Sequence, residues 1–174
     1  MEQVKVKIKG TAALLMQRYV IEDVNNTKAK RKDEKHDPTE DANKYLYKDS
    51  KIGCYVPSSW IESCIRDVSK EFKGRGKGSL KSAVLSSVFV NEEKIPLNKD
   101  TYDEIDLRPV VIQRNRIVKA RPKFNNWELS FTINFNPDRL KKEVLKQMLE
   151  EAGLSVGIGD YRPKFGRFEL ILFK

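Results

Sequence analysis

The residues best suited to chemistry lie near the C-terminus, in VGIGDYRPKFGRFEL (156–170). Gly157, Gly159 and Gly166, three of the chain's nine glycines, stand there among Arg162, Lys164 and Arg167. Glycine admits positive φ and lets backbone amides come close to a ligand, and clustered amides cradle phosphate. Three cations around such a loop point to a phosphate-binding surface. The structural alternative is a β-bulge packed against the first helix. A second basic stretch carries Arg114, Arg116, Lys119, Arg121 and Lys123. Strand alternation puts Arg114 and Arg116 on one face and the other three on the opposite face, so only a bulge or turn brings all five together. Beside Tyr or Phe rings, a cationic strand face can follow a phosphate backbone while bases stack. A solvated outer strand protected by its cations is the competing reading.

No catalytic constellation of comparable definition is visible. His36, the only histidine, sits between Lys35 and Asp37 in a run of mixed charge, the setting of a solvated side chain. There is no GxxxxGK[ST] loop, and GIGDYRPKFG does not fit GxGxxG after a strand. The carboxylates of Asp33–Glu34, Asp37, Glu40–Asp41 and Asp103–Asp106 fall in polar loops without a spacing that demands a metal, so neither metal nor cofactor is expected. Cys54 and Cys64 lack CxxC or Cys/His company and indicate neither a disulfide framework nor a zinc site. A reducing, cytoplasmic setting fits them.

The bulk properties agree with a polyanionic partner. Thirty-four Lys and Arg against 25 Asp and Glu give a net charge of +9. Such a surplus favours nucleic acid through the release of condensed counterions. With 174 residues, 39% hydrophobic and 34% charged, the chain reads as one soluble globular domain over 1–174. No apolar run approaches the roughly 20 residues of a membrane span. The opening MEQVKVKIKG alternates like a strand and does not resemble a signal peptide.

Several elements must position the basic residues. Val4, Val6 and Ile8 alternate with lysines as a half-buried strand, expected to run past Gly10 into 12–15. Residues 25–51 hold charges of both signs and almost no aliphatic side chains, and read as a long, exposed, mobile insertion. PSSWIESCIRDVSKEFKG predicts a helix, with Ser58 or Ser59 as N-cap and Glu62 at capping-box spacing from Ser59. Trp60 or Ile61, then Ile65, Val68 and Phe72, form its buried stripe. Residues 83–90 and 110–120 read as strands, and a turn at Asn125–Asn126 leads into a strand whose apolar face is Leu129, Phe131, Ile133 and Phe135. Asn136 as N-cap and Pro137 at the first position open a second helix, with Leu140, Val144, Leu145, Met148 and Leu149 inward and Gly153 as C-cap. FELILF is the last strand. The order predicts an α+β domain of ferredoxin-like, RRM-type β-α-β-β-α-β topology, with an extra strand and the long insertion after the first strand.

Two of these segments carry a family resemblance. GCYVPSSWIESCIRDV resembles the Y-I-P-G-S-S-I/L-K-G-x-L-R segment of the RAMP superfamily of CRISPR-associated proteins, with Tyr55, Pro57, Ser59, Ile61, Ile65 and Arg66 at matching places. GIGDYRPKFGRFEL resembles that superfamily's C-terminal glycine-rich loop, and KVKIKGTAALL its opening strand. Ser58, Trp60, Glu62 and Ser63 stand where the pattern has glycine, serine, lysine and glycine. The resemblance is closest to the backbone subunits that polymerise along a guide RNA, and residues 25–51 correspond to their variable loop before the first helix. Some backbone subunits cleave target RNA with an aspartate of that loop. Asp33, Asp37 and Asp41 have equal claims to its place here.

The resemblance implies a non-catalytic protein that binds single-stranded RNA, or another nucleic acid, through its phosphate backbone. The residues expected to do so are Ser59 and Arg66 at the first helix, Arg114, Arg116 and Arg121 on the basic strand, and Gly157, Gly159, Arg162, Lys164, Gly166 and Arg167 in the loop. Partners would be copies of itself along the strand or other RAMP-type subunits, with no membrane. Two other readings stand beside it. One is a RAMP-type RNA endonuclease in which His36 or Tyr161 assists 2′-hydroxyl attack. The other is an assembly or anti-defence interaction protein encoded by a virus or mobile element.

Overall fold

Lysine alternating with Val4, Val6 and Ile8 builds the strand on which the fold is centred. The computed structural model describes residues 1–20, 37–74, 78–112 and 114–174. In it β1 spans Glu2–Gly10 and buries those three side chains to 2% exposure or less. There follow β2 (Leu14–Leu15), α1 (Pro38–Lys44), β3 (Lys48–Asp49), β4 (Gly53–Pro57), α2 (Ser58–Val68) and α3 (Lys81–Ser87). Next come β5 (Val88–Val90), β6 (Lys94–Pro96), β7 (Glu104–Ile112), β8 (Asn115–Phe124) and β9 (Glu128–Phe135). The chain ends with α4 (Lys142–Glu151), a π-helical turn (Ala152–Val156) and β10 (Phe168–Phe173). This is a mixed α+β fold of antiparallel sheets, ordered β10-β1-β9-β5, β2-β8-β7 and β3-β4-β6.

The core lies on one face of the four-stranded sheet. Leu129, Phe131, Ile133 and Phe135 of β9 are buried beside the β1 valine–isoleucine face. Ile61, Cys64, Ile65 and Val68 of α2, and Leu145, Met148 and Leu149 of α4, join the same apolar cluster. Burying apolar side chains at helical and strand periods is what selects these elements. No helix among the described residues is long and apolar enough to cross a membrane.

Four local expectations are corrected. The first strand does not continue past Gly10. The Trp127 indole lies 2.2 Å from where a Cβ on Gly10 would be and donates from Nε1 to Ala12 O at 2.9 Å, so the chain turns and Leu14–Leu15 pairs with β8. Within 25–51, the expectation for residues 25–36 lies outside the described residues, but 37–51 is not an unstructured run. Asp37 caps α1 by accepting from Thr39 N at 2.8 Å, Ala42 and Leu46 are buried, and β3 follows. Residues 83–90 are not all strand. Val84, Ser87 and Val88 face inward at helical spacing while Leu85 is 60% exposed, so the segment is helical to Ser87 and extended only afterwards. The second helix starts late, at Lys142. Asn136 Oδ1 accepts from Asp138 N in a turn ahead of it, and Gly153 lies in the π-helical turn, with no C-cap role.

The capping box of the first helix is also absent. Pro57 occupies the N-cap of α2 and makes no side-chain cap. Glu62 turns instead toward β5, where its Oε1 accepts the Val90 amide at 3.0 Å and ties helix to sheet edge. Val90 is buried, so removing the acceptor strands a buried donor. Glu62→Ala is expected to lower stability by about 1–3 kcal/mol and Glu62→Gln to recover most of the loss. Urea unfolding of the two variants, compared at equal slope, checks this.

Candidate nucleic-acid interface

The glycine-rich loop begins where α4 relaxes into its π-helical turn. The amide of Gly157, at φ 72°, closes that turn on Ala152 O at 2.8 Å. The loop is then stitched to the segment after β1. Asp160 N donates to Leu15 O (2.9 Å), Gly166 N to Ala13 O (2.8 Å), and Thr11 and Ala12 donate to Arg167 O. Inside the loop, Ile158 N donates to Gly166 O at 2.9 Å. Two glycines permit this closeness. A Cβ on Gly166 would lie 1.7 Å from Ile158 O, and one on Gly159 would lie 2.6 Å from Leu15 O; both residues have positive φ. The amides of Gly157 and Gly166 are therefore engaged within the protein, and these glycines serve the folding of the loop. What the loop presents outward is Tyr161, Arg162, Pro163, Lys164 and Arg167, all exposed.

Two arginines of the β7–β8 hairpin hold this tip. Arg121, expected on an exposed basic strand face, is only 4% exposed. Its Nε donates to Asp160 Oδ2 at 2.5 Å, its guanidinium lies 5.6 Å from the Tyr161 ring centre, and its buried Nη1 has no partner among the described residues. Burial of a guanidinium requires such a carboxylate. Arg108 lies on the neighbouring strand, bidentate to Asp106 at 2.6 and 3.0 Å, with its guanidinium over Tyr161 (5.2 Å) and Phe165 (4.7 Å). Hydrogen bonding to Asp106 raises the Arg108 pKa, and the cation–π contacts fix the tip against the hairpin. Gln17 extends the network, donating to Asp160 Oδ2 at 3.0 Å and accepting from Lys119 Nζ at 2.7 Å.

Helix α2 flanks the other side. Cys64 Sγ donates to Ala152 O at 3.6 Å, and burial pushes its thiol up to about 12. Arg162 Nη1 is 3.7 Å from Asp67 Oδ2. The hydrogen bond from Lys70 holds the Asp67 carboxyl below its ordinary range, and Arg162 adds to the effect. Ser59, exposed, and Arg66, half-buried, are two helical turns apart and neighbour Trp60 and Asp67, which border the loop.

The remaining candidates are not brought to the loop. Arg114 sits in the hairpin turn at φ 68° and Arg116 follows on β8, both exposed. Arg116 and Arg121 are five positions apart, roughly 17 Å along a strand. On the opposite face of β8 the cations are matched by β7 carboxylates. Arg121 stands opposite Asp106, and Lys123 stands opposite Glu104 and pairs with it at 2.7 Å. Exposed apolar side chains stand along the hairpin: Leu107 54%, Val111 68%, Ile117 41% and Val118 62%. Sequence reading missed Arg108 and Asp160 because the Tyr161 and Phe165 rings and Arg121 that they meet are distant in the chain, and it read Asp106, two residues from Arg108, as a solvated carboxylate. The aspartate directly after Gly159, amid cations, was the one available signal.

No family model matches this chain, and no curated protein matches it. Its fold is similar to that of a chain in the cryo-EM structure of the Type III-B Cmr-beta bound to cognate target RNA, with a TM-score of 0.63 and 12% identity. The aligned part covers 99% of this chain and 59% of that one, so this chain matches little more than half of the other's length.

If Arg121 and Asp160 act as one unit, their single variants are not additive. Arg121→Met alone leaves the half-buried Asp160 with Gln17 but no guanidinium and is expected to cost about 1–3 kcal/mol. Arg121→Met with Asp160→Asn is expected to cost less than the sum, with a coupling of roughly 1–3 kcal/mol. Chemical denaturation of the four proteins in the cycle measures it.

Proposed function

We propose that this chain is a non-catalytic, single-stranded-RNA-binding subunit, related to the backbone subunits of RAMP-type CRISPR-associated complexes and built on a ferredoxin-like fold. The strand order β10-β1-β9-β5 supports the fold assignment. Helix α2 lies between β1 and β5 in the chain and α4 between β9 and β10, which is how two β-α-β units interleave in that topology. The likeness to a chain from an RNA-bound assembly supports the context.

The observation that carries the reading is the loop tip. Arg162, Lys164 and Arg167 are exposed on a segment whose backbone is stitched to the residues after β1 and whose aromatic residues are clamped by Arg108 and Arg121. Cations on a fixed support bind a phosphate backbone without ordering a loop first, which conserves affinity. Arg66 and Ser59 on α2 extend the surface on one side. Arg114 and Arg116 lie farther out, at the end of a hairpin whose exposed Leu107, Val111 and Val118 suit contact with a neighbouring subunit on the same strand. Arg121 has a different part in this reading: it holds the loop and does not touch the ligand.

The test is a filter-binding titration with single-stranded RNA across salt. With Arg66, Arg114, Arg116, Arg162, Lys164 and Arg167 each neutralising one phosphate, log K is expected to fall with log salt at a slope of about −4. The double variant Arg162→Ala/Arg167→Ala should make that slope shallower by about 1.4 and weaken binding for all sequences alike. No binding at low salt, or unchanged affinity in the double variant, overturns the proposal.

A further inference from the structure

Beside the loop is a cavity of about 440 Å³ that the phosphate contacts do not use, a size within the roughly 300–1,000 Å³ of small-molecule sites. Its walls are aromatic. Tyr19, Tyr45 and Trp60 line it, with Gly159 and Asp160 of the glycine-rich loop on one side. Trp60 is braced from behind: Tyr47 meets it edge-on at 5.4 Å, and Tyr55 meets Tyr47 edge-on at 5.6 Å. The missing side chain at position 159 gives the indole its room, since a Cβ there would stand 3.3 Å from Trp60 Cζ3.

Cations also line this cavity. Arg18 is exposed and oriented, its amide donating to Tyr45 O at 2.9 Å and its Nε to Lys44 O at 3.3 Å. Lys119 lies over the Tyr45 ring at 5.6 Å. Gln17 and Asp160 add a polar patch with both donor and acceptor groups. On the other side of Gly159–Asp160 lies a second, more open hollow lined by Arg162, Tyr161 and Asp67. Gly159 and Asp160 thus form the wall shared by an aromatic hollow and a polar one in which Arg162 stands with Asp67.

We propose that the aromatic cavity receives one unpaired nucleobase of the bound strand. The base stacks against Trp60 and Tyr19, Arg18 meets its 5′ or 3′ phosphate, and Gln17 and Asp160 face its hydrogen-bonding edge. This rests on the RNA-binding reading of the adjacent loop and adds to it the unit that is recognised. Every base has a π-face, so stacking of this kind tolerates sequence, and the amide and carboxylate supply a preference among bases. A resting protein partner in the cavity would have to be flat, aromatic and flanked by negative charge, which describes a nucleotide better than a peptide side chain.

The experiment compares two oligonucleotides of equal length and charge, a single-stranded RNA and the same backbone with abasic residues, by tryptophan fluorescence and by filter binding. Of the two tryptophans, Trp127 is 3% exposed and hydrogen-bonded, so quenching reports Trp60. The RNA is expected to quench and the abasic strand not to. Trp60→Leu should weaken RNA binding about tenfold and leave abasic binding unchanged, while Trp60→Phe keeps the affinity. Because Trp60 also packs against the core, Tyr19→Ser, at a position 74% exposed, serves as the fold-neutral variant, with the same selective loss. Equal affinity for the two strands, or equal losses for both in Tyr19→Ser, overturns the base site and leaves the phosphate-binding reading in place. Binding of neither strand overturns both.

Discussion

A guanidinium carried beneath the surface must be met there by a carboxylate, because the alternative is an uncompensated charge in a medium that solvates it poorly. In this chain that guanidinium belongs to Arg121 of β8, and Asp160 of the C-terminal loop meets it. The requirement fixes the loop. Asp160 reaches its position only because Gly159 takes positive φ hard against Leu15 O and the Asp160 amide bonds to that same oxygen. Tyr161 follows at φ 61°, and its ring lies within reach of both Arg121 and Arg108. The outward residues from 161 to 167 thus inherit their directions from the pairing of a buried arginine with a half-buried aspartate.

The same pairing divides the cations into two groups. Arg108, Arg121 and Lys123 face Asp106, Asp160 and Glu104, and their charge is spent on joining the hairpin to the loop and its own strands together. Lys164, Arg167, Arg114 and Arg116 are exposed, and Arg162 is approached by Asp67 at 3.7 Å. Counting lysines and arginines along the chain treats both groups alike. Their electrostatic effect on an incoming polyanion differs, since a cation with a carboxylate at hydrogen-bond distance presents little net field. A surface of this kind directs phosphate to the loop tip and the hairpin end, leaving the strand between them close to neutral.

Periodicity was legible wherever one face of an element meets the core. Val4, Val6 and Ile8, the four apolar residues of β9, and the inward residues of α2 and α4 follow from alternation or helical spacing, because burial acts on residues close in sequence. Phe72, expected in the α2 stripe, lies beyond the helix end at Val68. Boundaries were less legible. Gly10 ends β1 because an indole from residue 127 occupies its missing side chain, and Ser87 ends α3 because Val88 must join β9. The expected N-cap serines gave way to Pro57 because β4 pairs with β6 up to Pro57 and the Ser58 amide donates to Glu93 O, while the Glu62 carboxylate is claimed by the Val90 amide across 28 residues. The glycine cluster was visible as a special segment, but its glycines answer to backbone packing inside the loop, which no local pattern reports.

By itself, the sequence determined the basic character of the chain, the apolar faces of its principal strands and helices, and the presence of a glycine and cation cluster ahead of the last strand. These are properties of residue type and short-range spacing. Only the tertiary structure decided which cations are buried and matched, that Asp160 anchors the loop to β8, and that Trp60, Tyr19 and Tyr45 enclose a cavity beside it. The loop anchor and the cavity depend on residues far apart in the chain meeting at one point, Arg121 with Asp160 across 39 positions and Tyr19 with Trp60 across 41. Charge and packing act through space, so their outcome is settled when the β7–β8 hairpin closes over the loop.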